Sequence, residues 1–190
     1  MRAVFKFVIF VILFLSANCI LAADNYTLDP KHTYVLWHID HFGFSHPSGK
    51  WQAEGNLVLD DSNPQNSKVS ATIHTATITT GVPDLDEHLK SPLFFDVTKF
   101  PTASFVSDKV MLTGKTTARV HGTLTLHGIS KPLTLEVKLN KMGPNPITDK
   151  MSVGFTASTM IERSDFGINT LLPGLGDDVR LDIEAEASKQ

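Results

Sequence analysis

Four histidines crowd into HTYVLWHIDHFGFSH, residues 32–46: His32, His38, His41 and His46, beside Trp37, Phe42 and Phe44. Histidine is the commonest metal ligand and a frequent general base, so those two chemistries come first. Along a strand each residue advances about 3.4 Å and flips face, which sends His38 and His41 to opposite sides roughly 10 Å apart. They cannot share an ion, and His32 and His46 lie beyond opposite ends of the strand. The short paired spacings of closed zinc sites do not occur, and His74, His121 and His127 fall on outward phases of separate strands, so no metal is expected. Asp40, His41 and Ser45 are near in sequence, but neighbouring strand residues point apart and form no relay. There is no Gly-x-Ser-x-Gly elbow, no His-Glu-x-x-His and no glycine-rich phosphate loop. His41 remains as the polar member of an inward row. It is either a core histidine bonded to protein or a polar contact that orients a ligand in an apolar pocket.

The elements that position this row are strands, because period two dominates the chain. Val35, Trp37, Ile39 and His41 share one face. Trp51, Ala53, Gly55, Leu57 and Leu59 follow, then Val69, Ala71, Ile73, Thr75 and Thr77. Ala103 and Phe105 open a run that reaches Leu112; Val120, Gly122, Leu124 and Leu126 form the next. Leu133 to Leu139, Val153 to Ile161 and Val179 to Ala185 alternate in the same way. Eight strands with one apolar face each suit an all-β fold, an eight-stranded antiparallel barrel around a single interior. Many inward positions are small, among them Ala53, Gly55, Ala71, Ala103, Gly122 and Ala157, which favours a cavity over a filled core. The connection from Thr80 to Pro101 is too long for a hairpin. Asp84 and Glu87 have the spacing of a capping box, which predicts one short helix around residues 84–91, followed by an apolar lid carrying Phe94, Phe95 and Phe100.

Residues 1–23 have basic Arg2 and Lys6, an apolar run and a small-residue end, the pattern of a cleaved secretory signal. The domain is then 24–190, exported and soluble. Cys19, the sole cysteine, offers lipid attachment as an alternative, disfavoured by Asn18 directly ahead of it. Without the leader, 15 basic side chains face 20 acidic ones, a formal charge of −5. That balance is unsuited to nucleic acid. The mature chain has no cysteine, so its stability must come from a hydrophobic core.

Several stretches together resemble the YceI-like family: Asp29-x-x-His32-Thr33; His41-Phe42-Gly43-Phe44-Ser45; His88-Leu89-x-Ser91-x-x-Phe94-Phe95-Asp96 with Phe100-Pro101; Leu124-Thr125-Leu126-His127-Gly128 with Lys131; and Arg163-Ser164-Asp165-Phe166-Gly167. The resemblance covers essentially the whole mature chain. It implies a lipocalin-like barrel in the bacterial periplasm, without enzymatic activity or cofactor. Its lumen would hold a long-chain isoprenoid or another amphiphilic lipid such as an isoprenoid quinone or fatty acid. The ligand-lining positions it implies are Val35, Trp37, Ile39, His41, Phe44, Leu57, Ile73, His88, Leu89, Phe94, Phe95, Phe105, Leu124, Phe155 and Phe166. Arg163 and Asp165 match the late motif, where the pair would brace a loop. A homodimer and transient membrane contact are compatible with this role. Two other classes stay open: an enzyme acting on such a lipid through His41 or His88, and a dimeric stress-related interaction module whose barrel is only a core.

Overall fold

The computed structural model describes residues 23–190. The expected leader, apart from Ala23, and Cys19 lie outside the described residues. Nine strands form: β1 (Asp24–Leu28), β2 (Tyr34–His41), β3 (Ser48–Leu59), β4 (Lys68–His74), β5 (Thr102–Leu112), β6 (Thr117–Leu126), β7 (Ile129–Pro144), β8 (Met151–Glu162) and β9 (Leu175–Lys189). One helix, α1 (Pro83–Lys90), sits in the long connection between β4 and β5. All pairings are antiparallel, in the order β3-β2-β9-β8-β7-β6-β5-β4, and β4 pairs back onto β3 to close the ring.

The ring therefore has the eight strand positions expected, and β1 is an addition to the expected set. β1 and β2 share one position between β3 and β9. Leu28 stands opposite Gly55 and Ala187, while Tyr34 stands opposite Gln52 and Glu184. The joint between them is Asp29-x-x-His32-Thr33. Its Asp29 carboxylate accepts from Lys31 N at 2.9 Å and His32 Nδ1 at 2.7 Å. Thr33 Oγ1 then donates to the Glu186 carbonyl at 3.2 Å, fastening the kink to β9.

Period two carries the expected faces inward. Val35, Trp37, Ile39, Trp51, Ala53, Leu57, Phe105, Leu124, Leu135, Ala157 and Leu181 are all buried. Gly55 has φ 154°, and a Cβ there would lie 2.1 Å from the Ser70 carbonyl oxygen, so glycine lets β3 and β4 approach. Two local expectations are corrected. The strand beginning at Val69 does not run through Thr77 but stops at His74. A 3-10 turn, Thr75–Thr77, follows because Thr75 Oγ1 donates to the Phe100 carbonyl at 2.7 Å and Thr77 Oγ1 to the His74 carbonyl at 2.6 Å. The capping box does not form: Val82 precedes Pro83 without a side-chain cap, and Asp86 instead accepts from Thr80 N at 2.7 Å and Oγ1 at 2.6 Å.

Candidate ligand-binding cavity

One end of the barrel, the helix end, carries α1, the following loop 91–101, the β2–β3 hairpin and the β8–β9 connection. The other, the turn end, carries the turns 60–67, 113–116 and 145–150. Between them runs a cavity of about 670 Å³, within the range of small-molecule sites. Its wall is apolar through the middle and reaches exposed residues at both ends: His41, Ser45, His88 and Leu171 at the helix end, Asp61, Lys68 and Lys115 at the turn end.

Thirteen of the fifteen expected lining residues border this space: Val35, Trp37, Ile39, His41, Leu57, Ile73, His88, Leu89, Phe94, Phe95, Phe105, Leu124 and Phe155. Small residues provide the room, since Ala53, Ala71, Ala103 and Ala157 stand on the same wall. Helix α1 turns Leu85, His88 and Leu89 inward from one side, as three- and four-residue spacing requires, and the loop after it adds Phe94 and Phe95. Phe95 meets Trp51 edge to face at 5.1 Å, and Trp51 tilts against Trp37 at 6.0 Å.

Phe44 and Phe166 do not line the cavity. Phe44 is 90% exposed because β2 ends at His41 and the chain reverses there. Phe42 and Gly43 adopt positive φ, and His41 N donates to the Ser45 carbonyl at 2.8 Å, so strand alternation no longer applies. Phe166, at the end of the 3-10 turn Arg163–Phe166, is buried in the main hydrophobic core but does not reach the lumen wall. His41 faces the cavity but is exposed at its rim, not buried in the row, with its ring edge-on to Phe42 at 4.8 Å. A register shift against β9 between Ile39 and His41 displaces it from the row.

The late motif braces the β8–β9 connection, but not through an Arg163–Asp165 pair. Arg163 is 4% exposed. It donates to three carbonyls: Nε to Gly176 at 2.7 Å, Nη1 to Ile168 at 2.8 Å and Nη2 to Leu175 at 3.0 Å. Burial pulls its pKa down, with nearby Asp177 opposing that shift. Asp165 faces outward to Lys131 Nζ at 2.9 Å. The carboxylate at work is Asp177, which accepts from Ser164 Oγ at 2.6 Å and Ser164 N at 2.8 Å. The Ser164 hydroxyl bond, more than Arg163, holds its carboxyl below the usual range.

The outward histidines have separate partners. His38 Nε2 meets Asp182 at 3.2 Å and His74 Nε2 meets Glu54 at 3.1 Å. His121 Nδ1 bonds Thr134 Oγ1 at 2.8 Å, and His127 Nδ1 donates to the Phe166 carbonyl at 3.0 Å. Among the described residues no three His, Cys, Asp or Glu side chains converge. Lining residues outside the expected set include Trp51, Leu135, Leu181 and Leu171. The first three follow the same alternation and were readable from it; Leu171 stands on a loop where no period applies.

A closed antiparallel barrel around an apolar lumen defines a lipocalin-like class. Within that class the chain belongs to the YceI-like family, whose domain profile matches residues 26–187. A UPF0312 protein of Pseudomonas putida (strain W619) is 39% identical over 93% of this chain and 92% of its own length. Protein YceI of Salmonella arizonae is 35% identical over 94% and 93%. The Campylobacter jejuni YceI crystal structure superposes with a TM-score of 0.72 at 28% identity, covering 80% of this chain and 90% of that one. A polyisoprenoid-binding domain from Saccharophagus degradans superposes at 0.68 over 87% and 98%; at 11% identity it shows the fold alone.

Proposed function

We propose that the protein is a carrier without catalytic activity that holds one long-chain amphiphilic lipid, a polyisoprenoid, isoprenoid quinone or fatty-acid-like chain, in its lumen. It would be exported to the periplasm by its N-terminal segment and would transport, store or sequester that lipid there. The observation that carries this reading is the apolar cavity running the length of the barrel. Family membership supports it, as does the polyisoprenoid-binding description of the Saccharophagus degradans neighbour.

Tail length is what such a lumen measures. Burial yields about 0.8 kcal/mol per methylene-sized group, so ten carbons gain about 8 kcal/mol and twenty about 16 kcal/mol. Association costs about 4–15 kcal/mol. Short chains therefore bind weakly, and affinity rises with each isoprene unit until the lumen is full. The test is displacement of a lumen-bound fluorophore by prenyl alcohols of increasing length. Affinity should climb and then level off; equal affinity at every length, or no displacement, would refute the reading.

A further inference from the structure

The helix end of the barrel exposes apolar side chains beyond those that wall the lumen. Phe44 is 90% exposed, Leu93 58%, Leu171 55% and Phe42 43%. They stand on three loops that are fastened to one another. The Phe42 ring lies over Gly174, where an added Cβ would come within 2.6 Å of it, and Thr170 Oγ1 donates to the Leu93 carbonyl. The hairpin tip is also tied to itself: Phe44 N donates to the His41 carbonyl at 3.0 Å, and Gly43 N donates to the Asp40 carboxylate at 2.8 Å. Phe42 and Leu171 both have left-handed backbone, φ 55° and 64°. Bulky side chains avoid that region unless their surroundings impose it. Here the imposed conformation holds apolar groups out in water, which a protein tolerates where something apolar covers them.

Continuity with the cavity selects the occupant. Leu171, His41 and Ser45 belong to both the exposed patch and the lumen wall. A long-chain lipid moving between a bilayer and this lumen stays out of water only if the mouth itself is seated in hydrocarbon. The apolar groups project from separate loop tips, an arrangement suited to insertion between lipid chains. The tips themselves, residues 40–46, 169–174 and Leu93, include no lysine or arginine. Elsewhere on this end Lys90 and Lys131 are paired with Glu87 and Asp165 and Lys99 is exposed, so apolar insertion is the main adhesive and head-group attraction a smaller one. We propose that the helix end docks on a lipid bilayer by inserting Phe44, Leu93 and Leu171, and that lumen lipid passes through this mouth. The proposal rests on the lipid-carrier reading.

Co-sedimentation with phosphatidylethanolamine–phosphatidylglycerol vesicles, at low and high salt, tests it. The wild type is compared with Phe44→Ser, Leu93→Ser and their double variant; residues 1–23 are common to all, so differences isolate the rim. Ile147→Ser is the control, because Ile147 is equally exposed at 91% but stands on the turn end. The double variant should lose about tenfold or more in partition, the scale of withdrawing two large apolar side chains from hydrocarbon. Each single variant should lose less, Ile147→Ser should match wild type, and salt should matter little. Equal partition of the double variant and wild type, an equal loss in Ile147→Ser, or collapse of binding at high salt would overturn the docking surface. Loading of wild type with geranylgeraniol from detergent micelles is measured in parallel. Loading without rim-dependent docking refutes only this proposal; no loading refutes the carrier reading and this proposal with it.

Discussion

Replacing Ala157 by phenylalanine separates an empty lumen from a filled core by the sign of a single number. Ala157 lies midway along β8, opposite Val137 and Ile183, with its methyl group on the cavity wall. In a close-packed core, an extra phenyl ring forces neighbours aside and costs about 1–3 kcal/mol. In a cavity of about 670 Å³ the ring fits without displacement. Burying a phenylalanine side chain gains about 1.5–3 kcal/mol, and roughly 1–2 kcal/mol remains beyond what the methyl already contributes. For a domain of this size each kcal/mol moves Tm by about 2–4 °C, so delipidated Ala157→Phe should melt about 2–8 °C above delipidated wild type. The same ring narrows the lumen at mid-length and should weaken binding of a twenty-carbon prenol by at least about tenfold, or 1.4 kcal/mol. Thermal denaturation and fluorophore displacement on the same preparations measure both. A lowered Tm together with undiminished prenol binding would refute the reasoning.

Arg163→Met removes the donor of three buried carbonyl bonds while keeping much of the side-chain volume. Leaving those carbonyls unpaired should cost about 3 kcal/mol or more in urea unfolding; a change under about 1 kcal/mol would contradict the bracing role. Asp177→Asn tests the acid side of stability. Because the folded-state pKa of Asp177 is lowered, its contribution is complete above the unfolded carboxylate value of about 4 and is lost as pH falls through the folded value. The variant should be less stable at pH 7 and lose less stability than wild type on acidification below pH 4. Parallel stability curves for the two proteins would contradict this. Gly55→Ala puts a Cβ against the Ser70 carbonyl in a backbone region that favours glycine, and should lower Tm by several degrees; an unchanged Tm would show that β3 and β4 can part at no cost.

Strand faces were legible in the sequence because alternation is a local property of each run. From Trp51 to Leu59 the odd-numbered residues, and from Ala118 to Leu126 the even-numbered ones, turn inward, and both runs can be read without knowing the neighbouring strand. The position shared by β1 and β2 was not legible in the same way. Tyr26 and Leu28 do alternate, but five residues beside an apolar leader carry little signal, and their pairings, Tyr26 with Leu57 and Lys189 and Leu28 with Gly55 and Ala187, are long-range. Phe44 was expected on the lumen wall from the family motif, not from the alternation, which counted on from His41 puts it on the outward phase; the hairpin with positive φ at Phe42 leaves it exposed. Arg163 was recognisable as a motif residue, yet its acceptors are backbone carbonyls up to 13 residues away, which leave no mark on side-chain type. Phe166 was an apolar neighbour of that motif, and only the 3-10 turn decides that it faces the core and not the lumen.

The central claim is that the lumen holds lipid, and organic-solvent extraction of the natively purified protein followed by mass spectrometry tests it most directly. The account predicts one long-chain lipid recovered close to one per barrel from wild type and much less from Ala157→Phe purified alongside it. Wild-type protein that yields no stoichiometric lipid and fails to take up added geranylgeraniol would contradict it.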